Sequence, residues 1–194
     1  MTRPIRILLG MTGSVATTLG RKIIGAFDGD EVIVVQTPAA ARFCEPVMRD
    51  GVLNVAGAKV LTEDDEWAWR KVGDQILHVE LRDWMDVLVI APLSANSLGK
   101  MANGICDNLL ISIWLASGKK PTVVAPAMNT QMWLHPAVVK NALAIREMGV
   151  RVVDPVEKVL ACGETGVGAM AEIGHIAAVA RHSAEESRRM LCAP

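Results

Sequence analysis

Val87-Leu88-Val89-Ile90-Ala91-Pro92-Leu93-Ser94-Ala95-Asn96-Ser97 is the stretch that decides the fold. Its first five residues are apolar without interruption. A strand with one wet face would alternate apolar and polar residues, so an unbroken Val/Leu/Ile run describes a strand covered on both faces. The run ends at Pro92, passes through a short polar loop at Ser94-Ala95-Asn96-Ser97, and continues into a stretch with helical spacing.

The same unit recurs on either side. Ile5 to Leu9 is followed by Gly10-Met11-Thr12-Gly13-Ser14, after which Val15, Leu19, Ile23 and Phe27 recur at helical spacing. Val32 to Val35 leads into Gln36-Thr37-Pro38-Ala39 and a short helical stretch to Phe43. Thr122 to Ala125 leads into Pro126-Ala127-Met128-Asn129-Thr130-Gln131-Met132-Trp133 and a helix from about Pro136 to Met148. Val150 to Val153 reads as a weaker fifth strand. Ile173, Ile176, Ala177 and Ala180 open a closing helix that turns charged from Glu185 to Arg189. Buried strands alternating with helices predict an α/β fold, a doubly wound parallel sheet with right-handed crossovers. Ligands of such sheets bind outside the C-terminal ends of the strands, where the polar loops fall.

A chain of 194 residues reads as one domain, 1–194, with room for a substantial core. It is 51% apolar and 21% charged, with a formal net charge of -1, which gives no electrostatic reason to expect nucleic acid or an anionic membrane as partner. No apolar run approaches the roughly 20 residues that cross a bilayer, and the start has no secretory pattern. The expected location is the cytoplasm. Cys44, Cys106, Cys162 and Cys192 have neither zinc-knuckle spacing nor disulfide-scaffold density, so no metal is expected and the thiols are reduced. Cys44 and Cys106 read as small buried apolar residues and Cys192 as part of a loose tail. Glu63-Asp64-Asp65-Glu66 reads as a solvated turn. Trp67 and Trp69 beside it invite a partner surface or a ligand.

Several loops carry chemistry. Gly13 and Ser14 sit at a strand-to-helix junction that favours an anion, although a serine-capped tight turn has the same pattern. Thr37 and Ser94-Ala95-Asn96-Ser97 add polar groups at two more strand ends, each also a plausible cap. Three such loops along one sheet edge point to a phosphorylated, heteroaromatic cofactor. His78 has a side chain suited to proton transfer near neutral pH, while His135, His175 and His182 read as surface or capping residues. Asn129 is a candidate for holding a carboxylate or capping a helix. Cys162 lies in the glycine-rich segment Ala161-Cys162-Gly163-Glu164-Thr165-Gly166-Val167-Gly168-Ala169-Met170, an exposed thiol that is a liability unless used.

These motifs together resemble the homo-oligomeric flavin-containing cysteine decarboxylases, from about Ile5 to about Ile176. The resemblance rests on Gly13-Ser14, Asp65-Glu66-Trp67, His78-Val79-Glu80-Leu81-Arg82-Asp83-Trp84, Ala91 to Asn96, Gly104 to Leu110, Pro126 to Trp133, and the Cys162 segment. It implies a flavodoxin-like (Rossmann-like) fold in homotrimers, sometimes gathered into dodecamers, with FMN at the contact between subunits. It implies FMN contacts from Gly13, Ser14, Val15, Thr37, Phe43, Ser94, Ala95 and Asn96. Catalytic roles fall to His78 and Cys162. Substrate binding falls to Asn129, Met132 and, on a clamp loop at about 160–172, Ala161, Gly163, Gly168 and Met170. The implied substrate is 4′-phosphopantothenoylcysteine, decarboxylated through thioaldehyde and enethiol intermediates to 4′-phosphopantetheine on the way to coenzyme A. Cys162 supplies a late proton. Related branches act on the C-terminal cysteine of a peptide, transfer a prenyl group to flavin, or regulate a protein phosphatase without catalysis. The Cys162 segment, the Met-Asn-Met-Trp loop and the lack of long acidic extensions argue against these in turn. One departure is Ala171-Glu172-Ile173, where the clamp more often continues Ala-Glu-Pro.

Overall fold

At the centre of the computed structural model, which describes residues 3–191, lies β1 (Arg6–Met11). It is followed by a 3-10 turn (Val15–Leu19) that runs into α1 (Gly20–Gly25), then β2 (Glu31–Gln36), α2 (Pro38–Ala41), β3 (Val47–Arg49), β4 (Val52–Val55), β5 (Ala58–Leu61), α3 (Glu63–Glu66) and α4 (Leu77–Trp84). The second half contains β6 (Val87–Leu93), α5 (Ala95–Asn103), α6 (Leu109–Ala116), β7 (Thr122–Pro126), α7 (Thr130–Trp133), α8 (Pro136–Glu147), β8 (Arg151–Val152), β9 (Val156–Val159), β10 (Thr165–Ala169) and α9 (Ile173–Leu191).

Among the described residues the main sheet has the order β3-β4-β5-β2-β1-β6-β7-β8. From β5 to β8 all neighbours are parallel. All of β6 and β7 is buried, as their apolar runs predict. Successive residues point to opposite faces. Leu9, Met11, Val34 and Val89 join Ile23, Phe27, Ile176 and Ala180 in one core, under α1 and α9. Leu8, Val35, Leu88 and Ile90 join Leu81, Leu98, Leu110 and Ile145 in the other, under α4, α5, α6 and α8. The sheet is therefore doubly wound. The strand order around β1 reverses between β2 and β6, which makes the C-terminal ends of these strands the switch point.

Three features depart from the reading of the chain. The segment 47–61, unassigned from sequence, is an antiparallel meander, β3-β4-β5. Its strands are only three or four residues long, with β3 and β4 partly or wholly uncovered and β5 mostly buried, so no long apolar run betrays them. Their turns use positive φ at Asp50, Gly51, Ala56 and Gly57. The periodic run from Val15 to Phe27 is not one helix. The Thr17 hydroxyl donates back to the Thr12 carbonyl at 2.6 Å, and the first turn is 3-10. Among the cysteines, Cys44 is only partly buried and Cys106 is exposed, its sulfur 3.2 Å from the Ser112 hydroxyl; Cys192 lies outside the described residues.

The end of the sheet away from the loops is tied by Asp86. Its carboxylate accepts from the Arg6 backbone N–H at 2.8 Å, from Arg3 at 2.7 and 2.9 Å, and from Arg188 at 2.6 Å. Burial opposes the charge on Asp86, but these donors outweigh it and bring its pKa down to about 2. One side chain thus joins the start of β1, the start of β6 and the last turns of α9. No helix among the described residues is long and apolar enough to cross a membrane.

Candidate active site

The polar residues singled out after the strands are helix caps, and the sheet sets them side by side. Ser14 caps the 3-10 turn, Thr37 caps α2, Ser94 caps α5 and Asn129 caps α7. These residues follow β1, β2, β6 and β7, which are consecutive in the sheet in the order β2-β1-β6-β7. Side-chain bonds lock the loops together. The Thr12 hydroxyl donates to the Pro92 carbonyl at 2.8 Å and accepts from the Ser94 N–H at 2.7 Å. The Ser14 hydroxyl donates to the Ala127 carbonyl at 3.0 Å. A Cβ on Gly13 would stand 2.6 Å from that of Ala39, so only glycine lets the β1 loop close against α2. Val15 and Phe43 are exposed beside these loops, as is Asn96, with Ala95 half-buried. Hydroxyl and amide groups next to exposed apolar side chains suit a group that combines a phosphate with a flat ring, and this edge fits FMN.

At β7 the chain builds a second feature. The Asn129 side-chain oxygen, Oδ1, accepts from the Gln131 N–H at 2.8 Å. This Asx turn leaves the amide nitrogen pointing to the tip of the β9–β10 hairpin, 3.2 Å from the Glu164 carboxylate and 3.6 Å from the Cys162 sulfur. Cys162 and Glu164 are themselves 3.7 Å apart. The expected clamp loop is therefore this hairpin, with residues 160–164 as its tip. It is seated on the Asn129 loop by its backbone: the Met128 N–H donates to the Gly168 carbonyl at 2.9 Å. Gly168 has φ +155 and interrupts the strand register; a side chain there would run into the Met128 carbonyl. Ala161 and Gly163 are exposed at the tip and Met132 is exposed on α7, while Gly168 and Met170 are buried where the hairpin meets the body.

His78 stands apart from both groups. It lies in the first turn of α4, and among the described residues no hydrogen bond joins it to Asn129 or Cys162. Its partner is Glu66, at the end of α3: Nδ1 is 2.5 Å from one carboxylate oxygen, and the His78 backbone N–H donates to the other at 3.2 Å. The acidic segment is thus not merely a solvated turn. Glu63 also caps α6, accepting from the Leu109 N–H at 2.9 and 3.0 Å; burial, more than its acidic neighbours, raises the pKa of this carboxyl against that donor. Reading the sequence had missed the parts played by Glu66 and Glu164. The available signal was their place inside otherwise recognisable motifs, Asp65-Glu66-Trp67 and Cys162-Gly163-Glu164. His135 caps α8, and His175 and His182 are exposed. Trp67 and Trp69 are exposed as expected.

A doubly wound sheet whose capping side chains gather at the C-terminal ends of adjacent strands is a flavodoxin-like cofactor-binding architecture. The pattern of the flavoprotein family matches residues 1–184; the chain belongs to that family. It is 49% identical over 172 residues to phosphopantothenoylcysteine decarboxylase HAL3 of Malus domestica, a match covering 86% of this chain and 77% of that one. Among solved structures it is similar to a cysteine-to-serine mutant of PPC decarboxylase complexed with pantothenoylaminoethenethiol. That match has a TM-score of 0.86 and 43% identity, and covers 94% of this chain and 100% of the other. It is similar also to the FMN binding protein AtHal3, with a TM-score of 0.82 and 42% identity over 95% of this chain and 98% of the other.

Proposed function

We propose that the chain is an FMN-dependent phosphopantothenoylcysteine decarboxylase, converting 4′-phosphopantothenoylcysteine to 4′-phosphopantetheine and CO2 in coenzyme A biosynthesis. The observation that carries this reading is the meeting of the Asn129 amide with the Cys162 thiol at a hairpin tip, beside a sheet edge that fits FMN. A carboxylate anchor and a proton donor then face the same small volume. The similarity to two proteins described respectively as a decarboxylase holding an aminoethenethiol and as an FMN binding protein supports it.

FMN, when bound, supplies the reversible two-electron oxidation of the thiol-bearing carbon, without which loss of CO2 from a cysteinyl carboxylate would leave an unstabilised carbanion. The residues that hold it are Gly13, Ser14, Val15, Thr37, Phe43, Ser94, Ala95 and Asn96. The Ser and Thr hydroxyls and the neighbouring backbone N–H groups take its phosphate. Asn129 donates its amide to the substrate carboxylate, displacing the Glu164 carboxylate that occupies it in the free chain. Met132, Ala161 and Gly163 border that site, and Gly168 and Met170 seat the hairpin that closes it. Cys162 would deliver the proton to the carbon next to the thiol-bearing one; together with the two electrons that bound FMN would return as hydride to the thiol-bearing carbon, this would take the enethiol to the saturated thiol. His78 acts on the substrate thiol as base or electrostatic partner.

The chain acts as a homotrimer with its sites at the subunit contacts. Two observations support this: His78 shares no hydrogen bond with Asn129 or Cys162 within one chain, and Trp67, Trp69, Val72 and Ile76 are exposed on the segment leading to it. A closed cyclic assembly would bring the His78 of one subunit to the Asn129 and Cys162 of the next. The test is to purify the protein and record its visible spectrum, with and without added FMN, then measure CO2 release from 4′-phosphopantothenoylcysteine. A yellow protein that releases CO2 from this substrate upholds the reading. A protein that takes up FMN but leaves the substrate untouched refutes the activity, and failure to take up FMN refutes the cofactor site.

A further inference from the structure

We infer that Glu66 is the positioning residue for His78: it holds the imidazole with its proton on Nδ1 and leaves Nε2 as the nitrogen that meets the substrate thiol. The inference deepens the proposed decarboxylation and rests on that reading for its kinetic part. Its structural part stands on the geometry alone.

The geometry has three components. First, a carboxylate is an acceptor only. With a Glu66 oxygen 2.5 Å from His78 Nδ1, the proton between them belongs to the ring nitrogen. In the neutral imidazole Nε2 is then bare. Second, the contact is two-pronged. The other Glu66 oxygen accepts from the His78 backbone N–H at 3.2 Å, so the carboxylate fixes both the ring and the main chain that bears it. The N-cap of α4 is Ile76, which has no side-chain acceptor, and Glu66 satisfies a first-turn N–H that would otherwise lack a partner. Third, Glu66 is well covered and His78 less so, their side chains being 15% and 29% exposed. Nε2 makes no hydrogen bond among the described residues.

The consequence is chemical. When the substrate thiol gives its proton to Nε2, the ring becomes an imidazolium with N–H on both nitrogens, and the Glu66 charge stabilises it through Nδ1. A ring free to turn or to carry its proton on Nε2 would offer the thiol a donor where an acceptor is needed. Glu66 need not touch the substrate to matter; it acts through His78. Three of the four acidic residues of segment 63–66 are thereby explained, with Glu63 capping α6, Asp65 accepting from the Thr62 N–H at 2.7 Å, and Glu66 setting the histidine.

Because Glu66 also caps α4, loss of stability alone would not distinguish positioning from structure. The test therefore uses Glu66→Gln in the FMN-loaded protein, since glutamine keeps an oxygen acceptor for the α4 backbone. Two quantities are read. One is the protonation pattern of the His78 ring by 15N spectroscopy of imidazole-labelled protein, the signal being assigned by its absence in His78→Asn. The other is steady-state turnover of 4′-phosphopantothenoylcysteine. Expected are a protonated Nδ1 and bare Nε2 in the wild type, with Nε2-protonated ring appearing in Glu66→Gln. The variant's kcat should fall about tenfold to a hundredfold, the loss typical when the outer partner of a metal-ligating histidine is removed, with KM within about twofold. A bare Nδ1 in the wild type, or a Glu66→Gln kcat within about twofold of wild type, overturns the inference. The wild-type ring decides even if the variant does not fold. A wild type inert toward the substrate would refute the decarboxylase reading instead, leaving the ring pattern to judge Glu66.

Discussion

At the scale of single residues, three duties fall to side chains that lie far apart in the chain. In the proposed reaction Asn129 anchors the substrate, Cys162 protonates it and His78 receives or balances a proton. His78→Asn removes a titratable nitrogen while preserving size, and turnover is expected to fall by roughly a hundredfold or more, the usual worth of a positioned acid or base. FMN binding should be unchanged by absorbance; turnover at the wild-type rate would remove His78 from the chemistry. Cys162→Ser replaces the proton donor with a far weaker acid. Its product by mass should be the enethiol, lighter than 4′-phosphopantetheine by a pair of hydrogens, and a normal yield of the saturated thiol would acquit the cysteine. The residues carrying these duties were legible as types in motifs: an Asn among methionines, a Cys among glycines. Their partners were not. Glu66 precedes His78 by 12 positions and contacts it only because α3 ends beside the start of α4. Nothing in local spacing encodes that approach.

At the scale of elements, the long buried strands were readable because burial on both faces forces an uninterrupted apolar run, as at β6 and β7. The caps were readable because Ser, Thr and Asn after a strand satisfy the first N–H groups of the next helix. Short strands escaped for the converse reason. β3, β4 and the β9–β10 hairpin are brief and partly exposed, so their pairing comes from backbone turns and not from a hydrophobic pattern. The hairpin bears a prediction of its own. Gly168→Ala puts a side chain against the Met128 carbonyl at a φ of +155, a strain of about 1 to 3 kcal/mol. The hairpin should lift from the Asn129 loop, seen as faster proteolytic cutting within residues 156–169, and KM should rise about tenfold if this seat gives the clamp some 1.4 kcal/mol of substrate binding. Unchanged proteolysis and unchanged KM would mean that the seat is not what holds the clamp.

At the scale of the whole molecule, function and stability occupy opposite ends of the sheet. The loops gather at the C-terminal strand ends, while Asp86 ties β1, β6 and α9 at the other. With its pKa lowered from the ordinary 3.8 to about 2, Asp86 contributes stability that is whole above about pH 4 and is lost as pH falls toward about 2. Discounted for solvent at the half-exposed Arg3, this is on the order of 1 to 2 kcal/mol. Asp86→Asn should lower the unfolding free energy from denaturant melts by that amount at neutral pH, with the gap to wild type closing below about pH 3. An equal gap at all pH values would contradict the assignment, while kcat should be unaffected. The doubly wound architecture was legible from alternating buried strands and helices, whereas contacts between copies of a chain leave no period in its sequence. The proposed reaction is a decarboxylation with no net oxidation, and the mass of its product is the deciding measurement. Incubated with 4′-phosphopantothenoylcysteine, the FMN-loaded protein should yield 4′-phosphopantetheine, lighter than the substrate by CO2 alone. A product lighter by a further pair of hydrogens, or unchanged substrate, would contradict the account.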